Sequence, residues 1–378
     1  MRVVHVASGR LFGGIEQMLV TIARERALAP DVSLTFAVAA PGRLEEELRR
    51  CGADVHALGD VRLSRPATVV RARARFRRVL ASVRPDAVIG HAPWSYAIFA
   101  PVARRGGSPV VLWQHDRADG RSLVERWAAR TPADLVICNS EWTSRTADVL
   151  QPGTVTVIHP PVRLPECFGS APGDLRGELG ADPTDVVILS ASRLEPWKGH
   201  FNLVRALARV RATRAWKLWI AGAPQRPREG RYREALGKEV ARLGLEPRVQ
   251  FLGERRDVPR LLRAADLFCQ PNDGPEPFGV VFAEALLSGV PVVTTDMGGA
   301  PEIVSDECGR LVPPADLDAL TRVLGELIDD TALRARLSAR GPAHAAARTS
   351  PAVVLPQIAV ALATLAQGPT TWRGRPPA

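Results

Sequence analysis

Two successive series of short Val- and Ile-rich runs, each run followed by a longer stretch of helical period, constrain this chain more than any other feature. The first series reads RVVHVA, VSLTFAVA, ADVHALG, DAVIGHA, SPVVLWQHD and DLVICNS; after TVTVIHPPV a second begins with DVVILSAS, WKLWIAG, VQFLG, DLFCQP and PVVTTD. Such runs alternating with helices build βαβ units around a parallel sheet. The expectation is an α/β chain of two doubly wound domains, and a length of 378 residues suits two cores better than one. Paired prolines end secondary structure, so the seam is placed at His159-Pro160-Pro161, giving domains over 1–160 and 161–349. The segment SPAVVLPQIAVALATLAQ reads as a helix interrupted at Pro356, and residues 368–378 read as a loose tail.

Composition narrows the partners. A hydrophobic content of 46% with 24% charged residues is that of a soluble globular protein, and no uninterrupted apolar run is long enough to cross a bilayer. The five apolar and aromatic positions before Ser8 are too few for a signal-peptide core and read as a first strand. Cys51, Cys138, Cys167, Cys269 and Cys308 are scattered with no CxxC pair, which argues against a disulfide framework or a zinc site and for a cytoplasmic setting. Only three of the 50 basic residues behind the net charge of +10 are lysines, a chain-wide arginine bias, and no nucleic-acid partner is expected. In VVRARARFRRVLASVR, Val69, Val70, Phe76, Val79, Leu80 and Val83 fall at helical spacing and arginines fill the other face. That pattern fits a solvated outer helix or a surface in peripheral contact with an anionic membrane, at its inner face.

In doubly wound sheets ligands bind beyond the carboxyl ends of strands, so the loops there hold the candidate chemistry. In PEPFGVVFAEALLSG, Glu276 precedes a helix whose opening residues Phe278, Gly279 and Val280 offer N–H groups to an anion. Glu284 lies roughly 7–8 Å further along that helix among apolar neighbours, about the span from a diphosphate to the ribose of one nucleotide. A carboxylate in such company needs a partner, either a ligand hydroxyl or an arginine of its own domain. In SRLEPWKGH, Arg193 and Lys198 bracket a turn set by Pro196 and can converge on one anion. Gly13-Gly14 in LFGGIEQM allows close backbone approach, without the GxGxxG spacing of a dinucleotide oxidoreductase. His115, in WQHD, is open to proton handling, to orienting a sugar hydroxyl, or to a structural role. Gly298, Gly299 and Glu302 line a further loop, and Asp316 reads as a helix N-cap rather than a metal ligand.

Together these segments resemble glycosyltransferase family 4, most closely over SRLEPWKGH, VQFLGERRDVPRLLRAADLF, PEPFGVVFAEALLSGVPVVTTDMGGAPEIV and GRLVPPAD, and more loosely through GGIE, QHD and NSEWT. The resemblance implies a GT-B fold, two facing Rossmann-like domains, with the helix at about 350–367 returning to the N-terminal one. It implies a retaining, metal-independent transferase without cofactor, using a nucleoside diphosphate sugar, either a UDP- or a GDP-sugar, and a glycan, lipid-linked or small-molecule acceptor. On this resemblance Glu276 and Glu284 match the Glu-x7-Glu pair, the first near the donor sugar and phosphates, the second on the ribose. Arg193, Lys198 and Gly14 match diphosphate contacts, His115 the histidine near the sugar, Gly253 and Arg255 the surroundings of the base. Phe278, Gly279 and Val280 would give N–H groups to the phosphates, and Gly13, Glu16, His91 and Trp94 fall on the acceptor side. The chain departs from the family where His159-Pro160-Pro161-Val162 replaces the common Asn-Gly-Val connector, and in a C-terminal helix without the usual aromatic anchors. A nucleotide-sugar epimerase and a non-catalytic nucleotide-sugar binding protein are the competing readings.

Overall fold

The computed structural model describes residues 1–164, 172–224 and 226–366. Cys167 and the tail 368–378 lie outside them. The chain divides into two compact units, Met1–Pro161 together with the segment from Ser350, and Val162–Thr349.

The first unit holds β1 (Arg2–Ala7), β2 (Ser33–Val38), β3 (Asp54–Ala57), β4 (Ala87–His91), β5 (Val110–Gln114), β6 (Leu135–Cys138) and β7 (Val155–Val157). They form one parallel sheet in the order β3-β2-β1-β4-β5-β6-β7. Alternate residues of each strand feed opposite faces, which is why the runs are apolar throughout. Val4, Val6, Val88, Val110, Leu112 and Val136 enter one core; Val3, Phe36, Ile89, Val111, Trp113 and Ile137 enter the other. The helix Gly14–Arg24 covers the second face, where Val354, Leu355, Ile358 and Leu362 of the helix Pro351–Ala366 join the same core.

The second unit holds β8 (Val186–Ala191), β9 (Trp216–Ala221), β10 (Val249–Gly253), β11 (Leu267–Gln270), β12 (Val292–Thr295) and β13 (Gly309–Val312), parallel in the order β10-β9-β8-β11-β12-β13. Every residue of β8 is buried. Strand order reverses between β1 and β4 in the first sheet and between β8 and β11 in the second, so each sheet has a crevice beyond its carboxyl edge at that point.

Several local expectations change. The run GRLV, with a glycine and an arginine, carries no strand signal of its own, yet it pairs with β12 from Val292↔Gly309 to Thr295↔Val312 as the edge strand β13. Pro356 does not interrupt its helix, which runs continuously over Pro351–Ala366. Its side chain is on the exposed face, where water can satisfy the Ala352 carbonyl that loses its donor. In the arginine-rich helix Pro66–Val83 the buried residues are Val69, Ala72, Phe76, Val79 and Leu80, whereas Val70 is 66% exposed. Among the described residues one helical stretch, Thr331–Leu365, is long and apolar enough by length and composition alone to cross a membrane. Its residues Leu333, Leu337, Ala345, Val354 and Leu355 are buried in the protein's own cores.

Candidate active site

In the second unit the loops after β8 and β11 meet at the strand-order reversal. Pro196 opens a short turn, Pro196–Lys198, closed by Gly199 at φ 73°; a Cβ there would lie 1.7 Å from the Pro271 carbonyl oxygen. Only glycine permits both the left-handed backbone and that approach, so Gly199 brings the two loops into register. The Trp197 carbonyl then accepts the Asp273 N–H at 2.8 Å, fixing one loop to the other.

This contact delivers Lys198 to Glu276. Lys198 Nζ donates to Glu276 Oε2 at 2.7 Å, with side chains 11% and 12% exposed. The same oxygen accepts from Asn272 Nδ2 at 3.2 Å and Gln270 Nε2 at 3.3 Å. The backbone of Glu276 is strapped from the loop after β12: Gly299 N–H donates to its carbonyl at 2.7 Å, and Gly298, at φ 71°, would place a Cβ 2.2 Å from that carbonyl oxygen. Charge, hydrogen bonds and backbone therefore hold one carboxylate at the carboxyl edge of β11.

Arg193 is held separately. Its guanidinium lies 3.0 Å from Glu195, whose Oε2 also accepts Trp197 Nε1 at 2.9 Å. The Trp197 ring in turn lies under Lys198 Nζ at 3.8 Å from its centroid, a cation–π contact. Glu195 thus orients both cations, one directly and one through the indole. Glu195, Trp197, Gln270 and Asn272 were not singled out from sequence. The signal was present: a Gln closing a fully buried strand and a carboxylate between two cations both need partners.

The helix of the Glu276 segment is Val280–Leu287, with Gly279 as N-cap, so it begins two residues later than an opening at Phe278. Phe282 and Ala283 N–H groups already bond the Gly279 carbonyl, at 2.9 and 3.3 Å. Val280 and Val281 form the first turn, where N–H groups lack the usual intrahelical acceptor, while the Phe278 side chain is core. Glu284 is 8% exposed on this helix between the fully buried Ala283 and Ala285. Gly253 ends β10 and its carbonyl accepts Gly222 N–H at 2.8 Å; Arg255 grips Asp257 through two bonds of 2.8 and 2.7 Å. Asp316 caps its helix, accepting Ala319 N–H at 2.8 Å.

In the first unit, Gly14 opens the helix after β1 and Gly13 is its N-cap; Glu16 Oε2 accepts the Gly13 N–H at 3.0 Å, so this carboxylate is committed to capping. Trp94 packs, half-buried, on the core within the helix Ala92–Arg105. His91, expected on the acceptor side, is buried with both ring nitrogens engaged. Its Nε2 lies 2.9 Å from His5 Nδ1 and its Nδ1 lies 3.1 Å from His115 Nε2. The three rings come from the carboxyl halves of β1 and β4 and from the residue after β5. Burial pushes the imidazoles of His5 and His115 down to about 3 and that of His91 well below its usual value, so all three are neutral at physiological pH. His5 was missed from sequence, although a histidine inside RVVHVA is as anomalous as Glu284 in its helix.

Comparison with known proteins places this geometry. The model described as Glycosyltransferase Family 4 matches residues 12–165, and that described as Glycosyl transferases group 1 matches residues 173–344. A GDP-mannose-dependent monoacylated alpha-(1-6)-phosphatidylinositol monomannoside mannosyltransferase of Corynebacterium glutamicum is 33% identical over 274 residues, 67% of this chain and 70% of the relative. The chain belongs to glycosyltransferase family 4. A further relative of this family 4 chain, the GDP-mannose-dependent alpha-(1-6)-phosphatidylinositol monomannoside mannosyltransferase of Mycolicibacterium smegmatis, is 31% identical over 71% of this chain and 74% of its own length. Among solved structures, Anabaena HepE in complex with UDP and glucose superposes with a TM-score of 0.84 at 27% identity, covering 96% of this chain and all of that one. The two parallel α/β sheets are those of a GT-B glycosyltransferase, and the reaction class is glycosyl transfer.

Proposed function

We propose that the protein is a retaining, metal-independent hexosyltransferase that moves a sugar from a nucleoside diphosphate donor to a hydroxyl of a glycan, a lipid-linked molecule or a small acceptor. The observation behind this reading is the Lys198–Glu276 pair, tied in place by Asn272 and Gln270 at the strand-order reversal. A lysine and a carboxylate in such a crevice can serve a diphosphate and a sugar hydroxyl side by side. Arg193, Lys198 and the N–H groups of Val280 and Val281 would oppose the charge left on the departing diphosphate, the electrostatic task a divalent ion performs in other transferases. Glu284 takes the ribose, Gly253 and Arg255 border the base, Gly14 approaches the phosphates, and His115 faces the sugar. The donor is a GDP- or UDP-sugar: the two bacterial relatives are named for GDP-mannose and HepE is complexed with UDP and glucose. The exposed arginines of Pro66–Val83 would meet an anionic membrane surface at which a lipid-linked acceptor resides.

A thermal-shift panel of nucleotide sugars tests the donor. A donor present at 100 times its dissociation constant adds about 2.7 kcal/mol of stability. Stabilisation by GDP-mannose or UDP-glucose, with transfer that persists in EDTA, is the expected result; a protein indifferent to every guanosine and uridine diphosphate sugar would overturn the proposal.

A further inference from the structure

The three buried histidines form a chain whose proton count is restricted. Between His5 and His91 the ring centroids are 5.2 Å apart while the bonded nitrogens are 2.9 Å apart; between His91 and His115 the values are 5.4 and 3.1 Å. With interplanar angles of 16° and 19° the rings meet edge to edge, each nitrogen aimed at the next. They do not converge on a common point, and among the described residues no group of three or more His, Cys, Asp or Glu is placed to hold a metal ion.

A neutral imidazole carries one N–H and one lone pair, and each bond in the chain needs one of each. If His91 is protonated on Nδ1, it donates to His115 Nε2, which places the His115 proton on Nδ1; its bare Nε2 must then accept from His5 Nδ1. If His91 is protonated on Nε2, it donates to His5 Nδ1 and accepts from His115 Nε2, so all three protons sit on Nε2. No mixed arrangement keeps both bonds. The chain has two self-consistent states, all Nδ1–H or all Nε2–H.

Neither terminal nitrogen, His5 Nε2 nor His115 Nδ1, has a hydrogen-bond partner among the described residues; His115, directly after β5, is the end at the carboxyl edge of the sheet. We propose that His5 and His91 are positioning residues that set the hydrogen-bonding polarity of His115 Nδ1 by coupling the tautomers of all three rings. In the Nδ1–H state His115 offers a donor to a substrate oxygen; in the other it offers a lone pair to a hydroxyl. A ligand that accepts at His115 Nδ1 thereby fixes the proton position two rings away, on His5. The role in catalysis rests on the reading that His115 faces the sugar; the coupling itself does not.

The test is side-chain 15N NMR on histidine-labelled protein, in which the tautomer of each ring is read directly, alongside donor kinetics with GDP-mannose and UDP-glucose. Without ligand, His5, His91 and His115 are expected to show one common Nδ1–H to Nε2–H ratio, because the three protons move together. His5→Phe keeps an aromatic ring beside Phe36 but removes the partner of His91 Nε2, so the tautomer ratios of His91 and His115 are expected to change together and kcat to fall about tenfold with the donor KM little changed. His5→Asn restores a group that can donate to or accept from His91 Nε2 and is expected to return the His115 ratio toward that of the wild type and to recover most of kcat. Unequal tautomer ratios among the three rings of the wild type, or His115 resonances unmoved in folded His5→Phe, would overturn the coupling whatever the activity. Full activity in His115→Ala would instead overturn the site reading, and the catalytic role with it.

Discussion

At the residue scale, Lys198 is held by Glu276 in the free protein and, on the proposed function, would also be claimed by the phosphates of a donor. A diphosphate bound there would compete with the 2.7 Å ion pair, and part of its binding energy would be spent separating Lys198 from the carboxylate. Glu276→Gln keeps the shape and two of the hydrogen-bond arrangements while removing the competing charge. Transfer is expected to fall by at least about 100-fold, while nucleoside diphosphate binds several-fold tighter because Lys198 is released. Isothermal titration with GDP and UDP beside initial-rate kinetics measures both; weaker nucleotide binding in Glu276→Gln would show that the pair is not in competition with phosphate. Truncating the lysine acts in the opposite sense. Lys198→Ala leaves Glu276 with Asn272 and Gln270 as donors, so the expected cost is about 1–3 kcal/mol of stability and the loss of transfer, not unfolding. Circular dichroism melting beside the same assay checks it, and near wild-type turnover would remove Lys198 from the mechanism.

At the scale of elements, the helix Pro66–Val83 separates two uses of arginine. Arg73 donates to the Ile98 carbonyl at 2.8 Å and Arg75 to that of Leu58 at 3.2 Å, tying the helix to its own unit. Arg71, Arg77 and Arg78 are exposed, and with Val70 they follow a seven-residue spacing along one outward stripe. Each basic side chain near an anionic leaflet contributes about 1 kcal/mol, so replacing all three by glutamine should weaken liposome binding by roughly 100-fold. Pelleting with phosphatidylserine vesicles at low and high salt reads this. Wild-type protein that stays in the supernatant at low salt would leave the stripe merely solvated. The elements were largely legible because strands buried on both faces are written as apolar runs whatever their neighbours. Legibility failed where tertiary pairing supplies what local sequence lacks. β13 is a strand because β12 offers it an edge, and the helix through Pro356 persists with that proline on the exposed face, where the carbonyl it abandons is open to solvent. The site followed the same division. Loops after strands pointed to Arg193, Lys198 and Glu276, but no local pattern links His5 to His91 or His91 to His115, whose meaning arises only when distant strand ends are brought together.

At the scale of the whole molecule, buried neutral histidines make acid stability unequal between the two units. His5, His91 and His115 lie in the first, all depressed by burial; His200, lowered to about 4, lies in the second, as does the half-exposed His344, lowered mainly by burial. The unfolded chain protonates a histidine near pH 6.5, whereas the folded state leaves it neutral until far lower pH. Below about pH 6.5 the unfolded state therefore binds more protons, and stability falls as pH falls until the folded pKa is reached. Each such group contributes about 1.4 kcal/mol per pH unit across that window, so three of them contribute about 4 kcal/mol per unit near pH 5. Against a typical domain stability of about 5–15 kcal/mol, the first unit should open within a few pH units of neutrality. Hydrogen exchange at pH 7.5 and 5.5, corrected for intrinsic rates, is expected to show β1, β4 and β5 losing protection before β8, β9 and β11. His5→Phe cannot be protonated in either state, so the acid slope of the first unit should decrease by about 1.4 kcal/mol per pH unit in urea titrations. An unchanged slope would mean that His5 is charged in the folded protein, in which case the two-state proton count of the histidine chain would no longer hold.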